Sequence, residues 1–162
     1  MKAQIAEVDK EIRALDRQRA KELPKGQMTI AKRLCRLVGV GPVSATVLAE
    51  EAFHRQFANR RDIGAYAGLT PTPFQSGDGF REQGISKAGN HRLRRIMVEL
   101  AWLWLGHQPE SPITKWFEAR VGTARGRVRR IAVVAAARRL LIALWHYVST
   151  GRIPEGARLS PA

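Results

Sequence analysis

From Leu93 to Trp104 apolar residues return every three or four positions. Leu93, Ile96, Met97, Leu100 and Trp104 share one face, so "HRLRRIMVELAWLWL" predicts an amphipathic helix with a strongly basic first turn. "VRRIAVVAAARRLLIALWHYVST" predicts a second, long apolar helix stopped by Gly151, and a shorter helix around Pro112 to Val121 lies between the two. Near the start, Ile5, Val8, Ile12 and Leu15 alternate three- and four-residue steps with charged residues between them. That is the seam of a coiled coil about two heptads long, ending where Arg19 takes the next seam position. Pro24 and Gly26 break this helix. Residues 28–38 continue helically into "LVGVGPVSA", where Gly39 and Gly41 predict a tight turn and Pro42 sits in the first turn of a new helix. Asn59 as N-cap and Gly68 as stop bracket a further short helix. The Pro- and Gly-rich "LTPTPFQSGDGFREQGIS" reads as a long loop, or as a hairpin turning at Gly77-Asp78-Gly79.

The pattern therefore predicts an all-α fold. Residues 1–23 form a coiled-coil helix, 24–151 a helical domain with one long irregular or hairpin loop, and 152–162 a frayed, flexible tail. At 162 residues and 44% apolar content the chain supports one domain with a real core. No repeat or low-complexity tract stands out.

Charge changes the picture most. There are 28 Lys and Arg against 14 Asp and Glu, a net +14, and residues 1–23 account for only one unit of it. Such an excess favours a polyanionic partner, with nucleic acid ahead of an anionic membrane. No acid occurs from Ala119 to Pro154, where Arg120, Arg125, Arg127, Arg129, Arg130, Arg138 and Arg139 suit either a nucleic-acid backbone or a solvated helix face. Cys35 stands alone, which excludes an internal disulfide and a multi-cysteine zinc site and fits a reducing, cytoplasmic setting. The apolar runs are read as too short for a membrane span, and the charged N-terminus lacks the apolar core of a signal peptide. The four histidines show no metal-ligand spacing. The four tryptophans sit at helical positions that favour core packing over base stacking.

"LVGVGPVSA" fits a helix-hairpin-helix: glycines at 39 and 41 let the backbone approach a phosphate, small Ala45 lets the two helices close, and the following helix offers free N–H groups. Contacts of that kind read the backbone and not the bases. A plain αα-corner closed by glycine is the alternative.

Taken together, "LVGVGPVSATVLAEE", "FANRRDIGAYAGLTPTPFQSGDGFREQGISKAGNHRLRRIMVELAW" and "VVAAARRLLIALWHYVSTG" resemble the C-terminal transposase domain of the Piv-invertase-like insertion-sequence transposases, family one hundred and ten, which a structured bridge RNA guides. The resemblance runs from about Leu34 to Gly151 and implies that Ser76 of "FQSG" is the nucleophile that joins a DNA strand end. Arg81, Lys87, Arg92, Arg94 and Arg95 follow the serine and suit neutralisation of a phosphorane-like transition state, and "GISKAGN" matches the family's other motif, with Asn90 an N-cap of the next helix whether or not the motif binds phosphate. With Gly39, Gly41, Arg127, Arg129 and Arg130 these make the expected nucleic-acid-binding set. Family members carry an acidic RNase-H-like domain that holds Mg2+. None of Asp62, Asp78, Glu82 and Glu99 is spaced for a two-metal site, so no metal site is expected in this chain and Mg2+ is implied only for the complete enzyme. The sequence is thus expected to be a domain or truncated product of a DNA transposase. Its expected partners are DNA, a structured guide RNA and a second copy held through the N-terminal helix. A non-enzymatic helix-hairpin-helix module binding DNA as an accessory factor is the rival, and in sequence only the "FQSG" loop separates the two.

Overall fold

The computed structural model describes residues 2–21, 25–76, 79–85 and 88–161. Seven α-helices are described: α1 (Lys2–Lys21), α2 (Lys25–Leu34), α3 (Pro42–Leu48), α4 (Arg60–Tyr66), α5 (His91–His107), α6 (Pro112–Val121) and α7 (Arg127–Thr150). A π-helical segment, Ala49–Phe53, prolongs α3, and an antiparallel hairpin, β1 (Pro71–Ser76) with β2 (Gly79–Ile85), joins α4 to α5. The domain is thus helical, with the long loop resolved in favour of the hairpin.

α7 is the central helix. Small residues at Ala132, Ala136 and Ala137 in its first half give way to Leu140, Leu141 and Leu144 in its second, all buried, and α4, α5 and α6 pack onto this surface. By length and composition α7 is apolar enough to cross a membrane, against the expectation that no run would be. Its apolar side is instead covered by neighbouring helices. Facing it, α5 buries Leu93, Met97, Leu100, Ala101 and Trp104. The Trp104 indole is fully buried and donates from Nε1 to Ser111 Oγ at 3.0 Å, so its one polar atom is satisfied. The same Ser111 oxygen accepts from the Ile113 amide and caps α6, with Pro112 in the first turn. Gly151, at φ +75°, ends α7 as expected.

Two expectations change. Gly26 lies inside α2 and does not break a helix, and Pro24 lies outside the described residues. The tail differs from the frayed segment that its Pro and Gly content suggested. Leu159 bridges Leu37, the Val38 amide donates to the Arg158 carbonyl at 3.0 Å, and the Ser160 amide donates to the Arg36 carbonyl at 2.7 Å. Fully buried Gln108 locks the arrangement: its Nε2 donates to the carbonyls of Val38 and Arg158, and its Oε1 accepts the Arg158 amide at 2.7 Å. A buried amide with these partners explains why the tail is held, and why α2 stops at Leu34 instead of reaching residue 38.

α1 uses little of its apolar stripe on its own domain. Ile5, Val8, Ile12 and Leu15 are 50 to 65% exposed, while Ala6, Asp9 and Arg13 line a groove of about 640 Å³ against Pro42 and Val43.

Candidate nucleic-acid interface

The hairpin leaves one helix and enters the next at almost the same point. Asn59 starts α4, its Oδ1 accepting the amides of Arg61 (2.8 Å) and Asp62 (3.1 Å), and the chain passes through Gly68, Leu69 and Thr70 into β1. It returns at Gly89, whose φ is +103° and whose place could not hold a side chain: a Cβ there would sit 2.7 Å from the Tyr66 carbonyl and 2.8 Å from the Gly68 amide. The Asn90 amide then donates to that Tyr66 carbonyl at 2.8 Å.

A carboxylate completes this staple. Glu51, from the π-helical segment, accepts from Asn90 Nδ2 at 2.7 Å and from Arg92 Nη1 at 2.7 Å, and Glu50 accepts from Arg92 at 3.2 Å. The Tyr66 hydroxyl donates to the Glu51 carbonyl at 2.8 Å. Asn90 Oδ1 accepts the Leu93 amide at 3.0 Å and so caps α5. The end of "GISKAGN" is therefore a joint: glycine for close approach, asparagine for the cap and the bridge.

That geometry sorts the sequence candidates. Asn90 and Arg92 are engaged inside the domain. Arg95 pairs with Glu99 at 3.2 Å on an open surface, and Arg94 shares a hydrogen bond with His91 while its Nη1 is buried without a hydrogen-bond partner. Ser76 closes β1 opposite Gly79, next to the tip, and Arg81 lies opposite Phe74. Gly77, Asp78 and Lys87 lie outside the described residues, as do the side chains of Ser76 and Arg81.

The two turn glycines do different work. Gly39 has φ +92°, and a Cβ there would press on His107 Cβ at 3.2 Å, so this glycine serves the packing of the turn on α5. Gly41 has φ −80°, a conformation open to any residue, and precedes Pro42 as the N-cap of α3. Nothing lies within 4 Å of where its Cβ would be, so the approach there is open. Burial pushes the nearby Cys35 thiol above its ordinary value, which keeps it protonated and unreactive.

Positive charge gathers at the start of α7, where Arg125, Arg127, Arg129 and Arg130 are exposed and Gly126 supplies no side-chain cap. Like charges at the positive end of a helix oppose folding, and a bound polyanion would relieve them. Arg129 lies over Trp102, 5.1 Å from the ring centroid, and Arg139 over Trp116 at 4.1 Å. About two and a half turns further along, Arg138 Nε is buried without a hydrogen-bond partner beside Gly64 and Thr70, about 14 Å along the helix from Arg129 at 1.5 Å per residue. The base of the hairpin and the basic helix start thus share one helix.

Among the described residues no group of three or more His, Cys, Asp and Glu is placed to hold a metal. Asp62 bonds to Asn59, Glu99 to Arg95, and Glu50 and Glu51 to Arg92. These carboxylates serve internal pairs, and their arrangement does not fit a magnesium site. Sequence reasoning missed Glu50, Glu51, Tyr66 and Gly89. The adjacent "EE" in a chain so poor in acid was the signal available.

Residues 31–114, just over half of the chain, match the Transposase IS116/IS110/IS902 family. A Sinorhizobium fredii (strain NBRC 101917 / NGR234) protein named as a transposase, y4rJ, is 50% identical over 125 residues, which cover 76% of this chain and 32% of the relative. The transposase for insertion sequence element IS1328 of Yersinia enterocolitica is 34% identical over 76 residues, covering 46% of this chain and 23% of that protein. A Pseudomonas aeruginosa protein named as a family 20 transposase is 28% identical over 152 residues, 92% of this chain and 41% of its own. The fold and these likenesses define a helical transposase domain; the chain belongs to the IS116/IS110/IS902 transposase family. It spans about a third of the length of y4rJ.

Proposed function

We propose that this chain is the DNA-binding, serine-bearing part of a recombinase that exchanges DNA strands, with Ser76 as nucleophile. The observation that carries the reading is the position of Ser76 at the end of β1, opposite Gly79, on a hairpin whose two ends are joined by Gly89, Asn90 and Glu51. A nucleophile near a hairpin tip reaches a strand lying over the domain, and a fixed base limits where it reaches. In the step proposed, Ser76 Oγ bonds to a DNA phosphorus and the P–O bond to the adjoining nucleotide breaks. The serine proton passes to a base, and the departing oxygen takes a proton from water. Re-attack by a hydroxyl of the partner strand restores the serine and completes exchange.

Binding would come from the backbone. The exposed arginines at the start of α7 supply charge, and the open approach at Gly41 favours a helix-hairpin-helix phosphate contact at the α2–α3 turn. The family resemblance adds a structured guide RNA as a second nucleic acid, an acidic RNase-H-like domain and Mg2+ for the complete enzyme. The exposed stripe of α1 supports pairing with a second copy as a short coiled coil. The test is Ser76→Ala, assayed with the acidic domain supplied: folding and duplex binding stay, strand exchange is lost. Full exchange by the Ala variant would leave the accessory DNA-binding module as the reading.

A further inference from the structure

The second half of α5, α6 and the start of α7 surround an open cleft of about 390 Å³, within the range of roughly 300–1,000 Å³ typical of ligand clefts. Trp102 and Phe117 line it, edge to face with centroids 6.0 Å apart and planes at 79°. The Arg129 guanidinium lies over the indole at 5.1 Å. Gly106 and Gly122 border the cleft, and nothing stands within 4 Å of where either would carry a Cβ, so the space beside them is empty. Trp102 is 38% exposed although Trp104, two residues on, is fully buried. An indole left half in water costs hydration free energy unless a ligand covers it.

The lining selects its occupant. A lone phosphate would need the arginine but not the indole, and an aliphatic side chain would gain nothing from the guanidinium. A flat, electron-rich heterocycle uses both, through stacking and through the cation. Glu118 also lines the cleft; Arg125, Arg127 and Arg130 stand exposed around the same helix start, with no further acid from Ala119 to Pro154, and so offer cations for the phosphates on either side of such a ring. From this we infer that the cleft receives one unpaired nucleobase of a single-stranded or bulged nucleic acid, stacked against the Trp102 indole with the Arg129 guanidinium at its edge. The inference deepens the proposed function and rests on its nucleic-acid-binding part, but not on Ser76. The sequence positions favour core packing over base stacking for the tryptophans, and this inference assigns stacking to Trp102 alone.

The test measures binding of the full 162-residue chain to three fluorescent probes at one fixed salt concentration: oligo-dT, oligo-U of equal length, and a duplex. Trp102→Ala should weaken single-strand binding about tenfold, within the range for loss of one stacked base, and change duplex binding less than twofold. Trp102→Phe should restore most of it. Gly106→Met, which fills the cleft while leaving its lining side chains in place, should reproduce the loss and carries the test if Trp102→Ala fails to fold. A loss confined to the dT or the U arm identifies DNA or RNA as the source of the base. Unchanged single-strand affinity in folded Trp102→Ala and Gly106→Met would overturn the inference, as would an equal loss on the duplex. Failure of the unmodified chain to bind any probe would instead remove the nucleic-acid reading itself.

Discussion

Asn90 and Glu51 meet at 2.7 Å, side-chain amide to carboxylate, and this contact ties the start of α5 to the π-helical segment while the other end of the same amide caps the helix. One residue thus closes the base of the hairpin and begins the helix that follows it. Glu51→Ala would leave Arg92 with the longer contact to Glu50 and Asn90 Nδ2 with the longer one to the Tyr66 hydroxyl at 3.3 Å. A loss of about 2 kcal/mol is expected in urea unfolding, since bonds to charged groups contribute about 1.5–3 kcal/mol and this one is partly screened by solvent. Asn90→Ala should cost a similar amount, about 1 kcal/mol of it from the cap. Wild-type stability in both variants would mean that the joint is dispensable.

The glycines should separate cleanly. Gly89→Ala forces a Cβ to within 2.7 Å of a backbone carbonyl at φ +103° and should destabilise by about 3 kcal/mol or more. Gly41→Ala meets open space at φ −80° and should leave stability within about 0.5 kcal/mol while weakening duplex binding. If folded Gly41→Ala binds DNA normally, the turn is a structural corner.

Much of this architecture was legible in the chain. Asn59, Asn90, Pro112 and Gly151 marked helix ends because capping is local chemistry, decided within three or four residues. The joint was not legible, because Glu51 and Arg92 are 41 residues apart and no local pattern pairs them. The docked tail was hidden for the same reason: Arg158 and Val38 are far apart in sequence, and they meet directly and through buried Gln108. Trp102 and Trp104 look alike in sequence, yet two residues on a helix turn the side chain to the far face, so one fills the core and the other lines a cleft.

Duplex binding should fall steeply with salt. Replacing Arg127, Arg129 and Arg130 with Gln should reduce the slope of log K against log salt by up to about 0.9 for each phosphate that is no longer neutralised. A slope unchanged in the triple variant would place the duplex elsewhere on the domain.

Self-association should depend on α1. Sedimentation of the chain against one lacking residues 1–23 should show a larger species only for the full form, and Val8→Asp with Ile12→Asp should abolish it, because the stripe stands 50 to 65% exposed on one copy. Identical masses would show that the seam does not pair copies.

The central claim is the covalent role of Ser76. The most direct measurement is to incubate the chain with DNA and the acidic domain, stop with denaturant, digest with nuclease and protease, and search for nucleotide-bearing peptides by mass spectrometry. A phosphoserine-linked nucleotide on the Ser76 peptide, absent in Ser76→Ala, is the result expected. An adduct mapped to another residue would contradict the assignment and return the domain to a DNA-binding role alone.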